Sequence, residues 1–139
     1  MQYKRLMGID YGDKRIGIAF TDLLQMLSNP HSIYQSVDMG TDVKYIAQLA
    51  KQNDVEKIII GLPLCMDGSE NERTEVTKTF GAMLKEQSGL EIVYEDERLS
   101  SVEAEDILRE NKVSPKDRKK HLDKLSAAII LQAYLNSRK

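Results

Sequence analysis

The sequence predicts one α/β domain built on a mixed β-sheet, and three observations point to that fold class. The chain has 139 residues, which is the usual size of a single domain. Strand-like segments fill its first part, and helical and strand-like segments alternate after them. No stretch rich in serine, glycine or proline separates these segments, and the three prolines all lie between them. We therefore expect residues 1–139 to form a single domain.

The amino-terminal part predicts an antiparallel meander of three strands. The first strand is expected over Tyr3 to Asp10, and the second over Arg15 to Thr21, where large apolar residues alternate with small ones. Residues 11–14 form the turn between them. A third, weaker strand is expected over Ser32 to Val37. These strands would lie side by side at one end of the sheet.

The middle of the chain predicts crossover units, in which a helix connects two parallel strands. Apolar residues recur at helical spacing after Gly40, and a continuous β-branched run then predicts a strand over Lys57 to Gly61 that is covered on both faces. A second helix follows, with Ser69 and Glu72 at the spacing of a capping box and with its end near Gly89.

The last part predicts one more strand and two helices. The strand is expected over Glu91 to Asp96, and a short helix is expected to start at Ser100. After a loop over Lys112 to Lys116, the final helix is expected from about Arg118 to Asn136. The order β, β, β, α, β, α, β, α, α predicts a mixed five-stranded sheet, an antiparallel meander plus parallel strands, flanked by helices.

Composition excludes several classes of protein. The formal net charge of −2 argues against a protein that coats nucleic acid by overall positive charge. The single cysteine, Cys65, excludes an intrachain disulfide and a four-cysteine zinc site, and we expect its thiol to keep an ordinary pKa. No stretch approaches the roughly 20 apolar residues of a membrane span. We expect a cytoplasmic protein that does not bind membranes.

Three acidic residues are candidates for the chemistry. Asp10 ends the first strand, at the carboxyl edge where open α/β sheets commonly build their sites. Glu97 follows the fifth strand, with Asp96 as the alternative donor, and its carboxylate would meet that of Asp10 if the two strands are neighbours. Asp123 lies in the last helix, one turn before Ser126-Ala127-Ala128, a patch of small residues that lets a helix approach a sheet closely.

Three carboxylates at one edge repel each other unless cations neutralise them, and oxygen ligands suit Mg²⁺ or Mn²⁺ better than zinc. The acids therefore indicate metal-assisted hydrolysis of phosphodiester bonds, which requires no histidine. Each acid also has a structural interpretation. Asp10 is a plausible turn former, Glu97 a partner of Arg98, and Asp123 a member of a surface ladder of ion pairs. Composition and spacing by themselves leave the function open.

Four motifs, in order, span nearly the whole chain. They are GIDYGDKRIGIA at 8–19, GLPLCMDGSE at 61–70, DERLSS at 96–101 and DKLSAAIILQAYL at 123–135. Together they resemble the bacterial YqgF/RuvX family, whose members are named both as Holliday junction resolvases and as pre-16S ribosomal RNA nucleases. The resemblance implies a ribonuclease H-like fold. It also implies that Asp10, Glu97 and Asp123 are catalytic acids that bind Mg²⁺ or Mn²⁺.

Polar and basic residues near the acids are candidate contacts to nucleic acid. They lie on the first hairpin, in the long loop over 61–73, beside Glu97 and at the start of the last helix. A polyanion drawn to them would lie across the acids, and its binding would weaken as salt rises. A solvated turn, a structural loop and a solvated helix start are the alternatives. The candidates are Lys14, Arg15, Asn71, Arg73, Arg98, Lys119 and Lys120.

Three classes of function follow from these residues. The first is a nuclease, for which the resemblance favours the 5′ end of pre-16S ribosomal RNA as substrate. Because trimming of an RNA end can work with a single site, we expect a monomer or weak homodimer. Resolution of four-way DNA junctions is the alternative, and it requires a two-fold dimer. The second class is phosphotransfer from ATP, because Asp10-x-Gly12 before a hairpin also resembles the actin, Hsp70 and sugar-kinase group. The third is a non-catalytic ribosome assembly factor.

Overall fold

The computed structural model describes residues 3–99, 107, 109, 114 and 118–138, and for residues 99 and 118–124 it describes the backbone alone. Its five strands are β1 (Arg5–Tyr11), β2 (Arg15–Thr21), β3 (Ser28–Gln35), β4 (Val55–Leu62) and β5 (Glu91–Asp96). Its α-helices within these ranges are α1 (Met39–Gln52), α2 (Glu72–Ser88) and α3 (Arg118–Ser137). A single 3-10 turn over Glu97–Leu99 follows β5.

The strands form one mixed sheet in the order β3-β2-β1-β4-β5. β1, β2 and β3 pair antiparallel, whereas β1, β4 and β5 run parallel. This arrangement confirms the predicted meander followed by parallel strands. The carboxyl ends of the three parallel strands lie at one edge of the sheet, which we call the carboxyl edge.

Helices cover the sheet on both faces. α1 and α2 pack on one face, where Ile58 and Ile60 of β4 belong to the same core cluster as Ile46 and Phe80. α3 packs on the other face, where its apolar side chains form a second core cluster with Ile59 of β4. The three isoleucines are fully buried, as expected for a continuous apolar run in a strand covered on both faces.

Several elements start at other residues than expected. β1 starts at Arg5 and β4 at Val55, each two residues from the expected position. α2 begins after a capping box made by Asn71 and Thr74, and the expected pair of Ser69 and Glu72 is wrong. The hydroxyl of Ser69 donates instead to Asp67 at 2.6 Å, which closes a turn inside the preceding loop. β3 begins four residues early, at Ser28, because it pairs with β2 along that strand's whole length. Pro30 is tolerated there because β3 is an edge strand.

The remaining expectations concern the last part of the chain. The short helix expected after Ser100 and the following loop lie outside the described residues except for Ile107, Arg109 and Ser114. The final helix is confirmed and extends one residue beyond its expected end. Within the described ranges, no helix combines the length and apolar character that a membrane crossing requires.

Candidate active site

Asp10 and Glu97 meet at the carboxyl edge of the sheet. Asp10 lies near the end of β1, and Glu97 directly follows β5. The two strands are not neighbours, because β4 lies between them. Their carboxyl groups nevertheless share a hydrogen bond. The two acids therefore meet across an intervening strand. The sequence analysis expected them to meet only if β1 and β5 were neighbours.

Gly61, near the end of β4, makes this meeting possible. A Cβ atom added at Gly61 would lie 2.4 Å from Oε1 and 2.9 Å from Cγ of Glu97. The Glu97 side chain therefore occupies the space above the Gly61 backbone. The sequence analysis assigned Gly61 no role. The sequence signal that could have found it is a glycine at the carboxyl end of the central parallel strand, where any other side chain would take the space that Glu97 occupies.

Helix α3 lies directly on the strand that carries Asp10. A Cβ atom at Gly8 would lie 2.7 Å from the carbonyl oxygen of Ala127, so the helix approaches β1 as closely as the small residues predicted. A Cβ atom at Gly17 would lie 3.5 Å from the Cβ atoms of both Ala127 and Asp10. The backbone of Asp123 lies one helical turn before Ala127 in α3. The Asp123 side chain lies outside the described residues.

The pKa of Glu97 is raised to about 7. Burial of the half-buried side chain is the largest cause, and the charge of Asp10 and the hydrogen bond with it add to the effect. The positive charge of Arg73 acts in the opposite direction. Below about pH 7, Glu97 therefore keeps its proton unless a cation replaces it.

This pKa leads to a testable pH dependence of stability. A carboxyl whose pKa is higher in the folded chain than in the unfolded chain stabilises the fold at low pH and loses that contribution as the pH rises through the folded value. The free energy of unfolding should thus fall between about pH 5 and pH 8 in the presence of chelator. Glu97→Gln should be more stable than the parent at pH 8 by about 1–2 kcal/mol, after allowance for partial exposure to water.

Urea unfolding of both proteins at pH 5.5, 7 and 8.5 measures this difference. Equal pH slopes for the parent and the Glu97→Gln variant would show that Glu97 does not titrate in this range. Adding Mn²⁺ at pH 8 should stabilise the parent more than the variant, because a ligand that binds the folded state shifts the folding equilibrium.

The donor chemistry of the site fits a divalent cation that prefers oxygen ligands. Asp10 and Glu97 offer only oxygen atoms, and their mutual repulsion is the kind that a divalent cation neutralises. Among the side chains that the structure describes, no three from histidine, cysteine, aspartate and glutamate form a group that could hold a metal ion. Asp96, the alternative donor, is held by Arg98 through three contacts of 2.8–3.1 Å.

Two of the predicted basic contacts lie on the first hairpin. Arg15 lines a cavity of about 160 Å³ together with Asp10, Gly17 and Ile33. This places the exposed residue Arg15 at the same cavity as one of the acids. Lys14 is exposed in the turn, and its carbonyl oxygen accepts a hydrogen bond from the backbone of Ser36.

Arg73 also reaches this hairpin, although it belongs to α2. Its guanidinium group donates to Asp13 at 2.5 Å and to the carbonyl oxygen of Tyr11 at 3.0 Å. Tyr11 is the residue after Asp10, and the charge of Arg73 lowers the pKa of Glu97. The structure therefore places Arg73 on the hairpin that follows Asp10, where its charge acts on Glu97.

Asn71 and Arg98 are engaged in contacts within the protein. Asn71 caps α2 and donates to the sulfur of Cys65 at 3.4 Å. Hydrogen bonds from Asn71 and Ser69 lower the pKa of the Cys65 thiol, so the expectation of an ordinary value is wrong. Arg98 donates to the carbonyl oxygen of Met66 at 2.9 Å and thereby ties the loop to the end of β5. The side chains of two further candidates, Lys119 and Lys120, lie outside the described residues.

Comparison with known proteins identifies the family. The model of a family described as "RuvX: Holliday junction resolvase" matches residues 4–137. The chain belongs to the RuvX family. A protein of Syntrophomonas wolfei named "Putative pre-16S rRNA nuclease" is 43% identical, with 95% of this RuvX chain and 94% of the relative covered. A protein of the same name from Halothermothrix orenii is 44% identical, with the same coverage.

Solved structures share the fold of this RuvX chain. The RuvC protein of T. thermophilus in complex with a Holliday junction substrate has a TM-score of 0.59 and 10% identity, with 98% of this chain and 96% of that chain covered. The fowlpox virus resolvase in complex with Holliday junction DNA has a TM-score of 0.55 and 11% identity, with 96% and 97% covered. These likenesses confirm the expected ribonuclease H-like fold.

Proposed function

We propose that this protein is a metal-dependent nuclease that hydrolyses phosphodiester bonds at the 5′ end of pre-16S ribosomal RNA in the cytoplasm. The observation that carries the proposal is the meeting of Asp10 and Glu97, whose carboxyl groups share a hydrogen bond. Burial, together with the charge of Asp10 and this hydrogen bond, raises the pKa of Glu97 to about 7. A fold that keeps two carboxyl groups together against their repulsion favours a cation between them. The names of relatives that are 43–44% identical over nearly the whole chain support the RNA substrate.

Asp10 and Glu97 would hold Mg²⁺ or Mn²⁺, with Asp123 on α3 as the third oxygen donor. The cation supplies activation of the attacking water and stabilisation of the charge that develops on the phosphate. Glu97 must lose its proton before it can bind, so metal affinity should increase as the pH rises through about 7. Gly61 leaves the space in which Glu97 reaches Asp10. Lys14 and Arg15 on the hairpin would bind backbone phosphates beside the acids.

Resolution of four-way DNA junctions is the second candidate, and the description of the family model favours it. Paired cuts in a junction require a two-fold dimer with two sites at matched spacing, whereas cleavage of an RNA end needs only one site. We propose RNA as the main substrate. We also propose a monomer or weak homodimer as the working form, because one chain supplies all three candidate acids.

The test uses a labelled 5′-extended 16S precursor and, separately, a four-way DNA junction, each with Mg²⁺, Mn²⁺ or chelator. We expect cleavage of the precursor that chelator abolishes. Symmetric cuts in the junction, with the precursor left intact, would establish the resolvase instead. Binding of the precursor without cleavage in any metal would favour a non-catalytic assembly factor. Stabilisation by ATP in a melting assay would favour phosphotransfer.

A further inference from the structure

We propose that the guanidinium group of Arg73 is the site for a backbone phosphate beside the cleaved bond, and that Asp13 occupies this site until nucleic acid binds. This inference rests on the proposed function and specifies one contact within the same site. Its ligand class is a phosphodiester, whether in RNA or in DNA.

The position of Arg73 is the first support. Arg73 is the second residue of α2, yet its side chain reaches the hairpin that follows Asp10. One terminal nitrogen, Nη2, donates to the carbonyl oxygen of Tyr11 at 3.0 Å, and the other, Nη1, donates to Oδ1 of Asp13 at 2.5 Å. The contact with Tyr11 would keep the guanidinium group in place when Asp13 leaves.

The charge of Arg73 is the second support. The guanidinium group of Arg73 is bound to the carbonyl oxygen of Tyr11, the residue after Asp10, and its charge acts on Glu97. A phosphate bound to Arg73 would lie at the hairpin that follows Asp10. Arg73 would also offset the repulsion between that phosphate and the two carboxylates.

The exposure of the ion pair is the third support. The side chains of Arg73 and Asp13 are 41% and 78% exposed. Exposed ion pairs of this kind contribute little to stability, so exchanging the partner of Arg73 costs little. A phosphate offers arginine the same charge-assisted contacts as a carboxylate, and both ligands suit the planar guanidinium group. The Asp13 carboxylate therefore stands where a phosphate oxygen would bind.

A double-mutant cycle tests the exchange. Binding of the labelled 16S precursor is measured by fluorescence anisotropy at several salt concentrations, with the Asp10→Asn protein as the background so that the RNA stays intact. Asp13→Asn should tighten binding about threefold to tenfold, because Arg73 no longer has a competing partner. Arg73→Gln should weaken binding and reduce the slope of log K against log salt by roughly 0.7–0.9.

The Asp13→Asn/Arg73→Gln double variant shows whether Asp13 competes with phosphate for Arg73 or only repels the RNA by its charge. If Asp13 acts through Arg73, then Asp13→Asn should change affinity by less than twofold once Arg73 is glutamine. An equal gain in both backgrounds would overturn the proposal, because it would show that Asp13 only repels the polyanion. Weaker binding on Asp13→Asn alone would overturn it as well.

Glu70→Gln is the matched control, and its effect on affinity should be less than twofold. Glu70 is an exposed acid just before α2 that forms an ion pair with Lys78 at 2.7 Å, so its loss changes the charge in the same way. Melting temperatures check that every variant folds. If the RNA binds but the cycle shows no coupling between Asp13 and Arg73, this proposal is refuted and the proposed nuclease activity is not. Absence of binding to both the precursor and a four-way junction would refute both.

Discussion

Asp10→Asn is expected to reduce metal-dependent cleavage by at least about 10³-fold, which corresponds to about 4 kcal/mol of transition-state stabilisation. Asparagine has nearly the same shape but lacks the negative charge that would hold the cation. The fold should survive, because the substitution removes the charge that raises the pKa of Glu97. The free energy of unfolding in chelator should therefore stay the same or increase at pH 8.

The measurement is single-turnover cleavage of the labelled precursor, alongside urea unfolding of the same samples. Asp54→Asn serves as the control. Asp54 is an exposed residue next to the start of β4, at the opposite end of the sheet from Asp10, and its positive φ of 55° suits asparagine as well as aspartate. Cleavage by the Asp10→Asn variant at the rate of the parent would refute a mechanism that depends on the Asp10 carboxylate.

Gly61→Ala is expected to weaken Mn²⁺ binding and cleavage by about 10–100-fold, the usual cost of disturbing a group that orients a metal ligand. The new Cβ atom would meet Oε1 of Glu97 and Cδ1 of Ile130, each at 2.4 Å. Glu97 would then have to move away from Asp10. Crowding of the core should also cost about 1–3 kcal/mol of stability.

A second variant separates the effect on Glu97 from the effect on the core. Ile130→Val removes the crowded Cδ1 atom, so the Gly61→Ala/Ile130→Val protein should recover much of its stability without recovering Mn²⁺ binding. Gly40→Ala is the control for a glycine substitution in α1, because its nearest new contact is a single oxygen at 3.5 Å, Oδ1 of the N-cap residue Asp38. Calorimetric titration with Mn²⁺ measures the affinity. Full recovery in the double variant would show that Gly61 acts only through packing.

Local patterns predicted most of the elements. The bounds of β2 and β5 are as expected. Each strand is marked by a local sequence pattern, namely the alternation of large and small apolar residues over Arg15–Thr21 and the strand-breaking residues around Glu91–Asp96. The cap of α2 was misplaced because the observed pair, Asn71 and Thr74, lies only two residues beyond the expected pair, Ser69 and Glu72. Only the contacts of Ser69 with Asp67 and of Thr74 with the carbonyl oxygen of Pro63 distinguish them.

The sequence by itself determined the fold class, the family and the strand end on which Asp10 lies, because hydrophobic period and motif order are properties of neighbouring residues. Tertiary structure alone decided that β4 separates the two acids and that Gly61 lets Glu97 cross it. It also decided that Arg73 reaches the hairpin from α2, whereas Asn71, two residues earlier, caps the helix. These contacts join residues tens of positions apart, and their distances depend on how the sheet and helices pack.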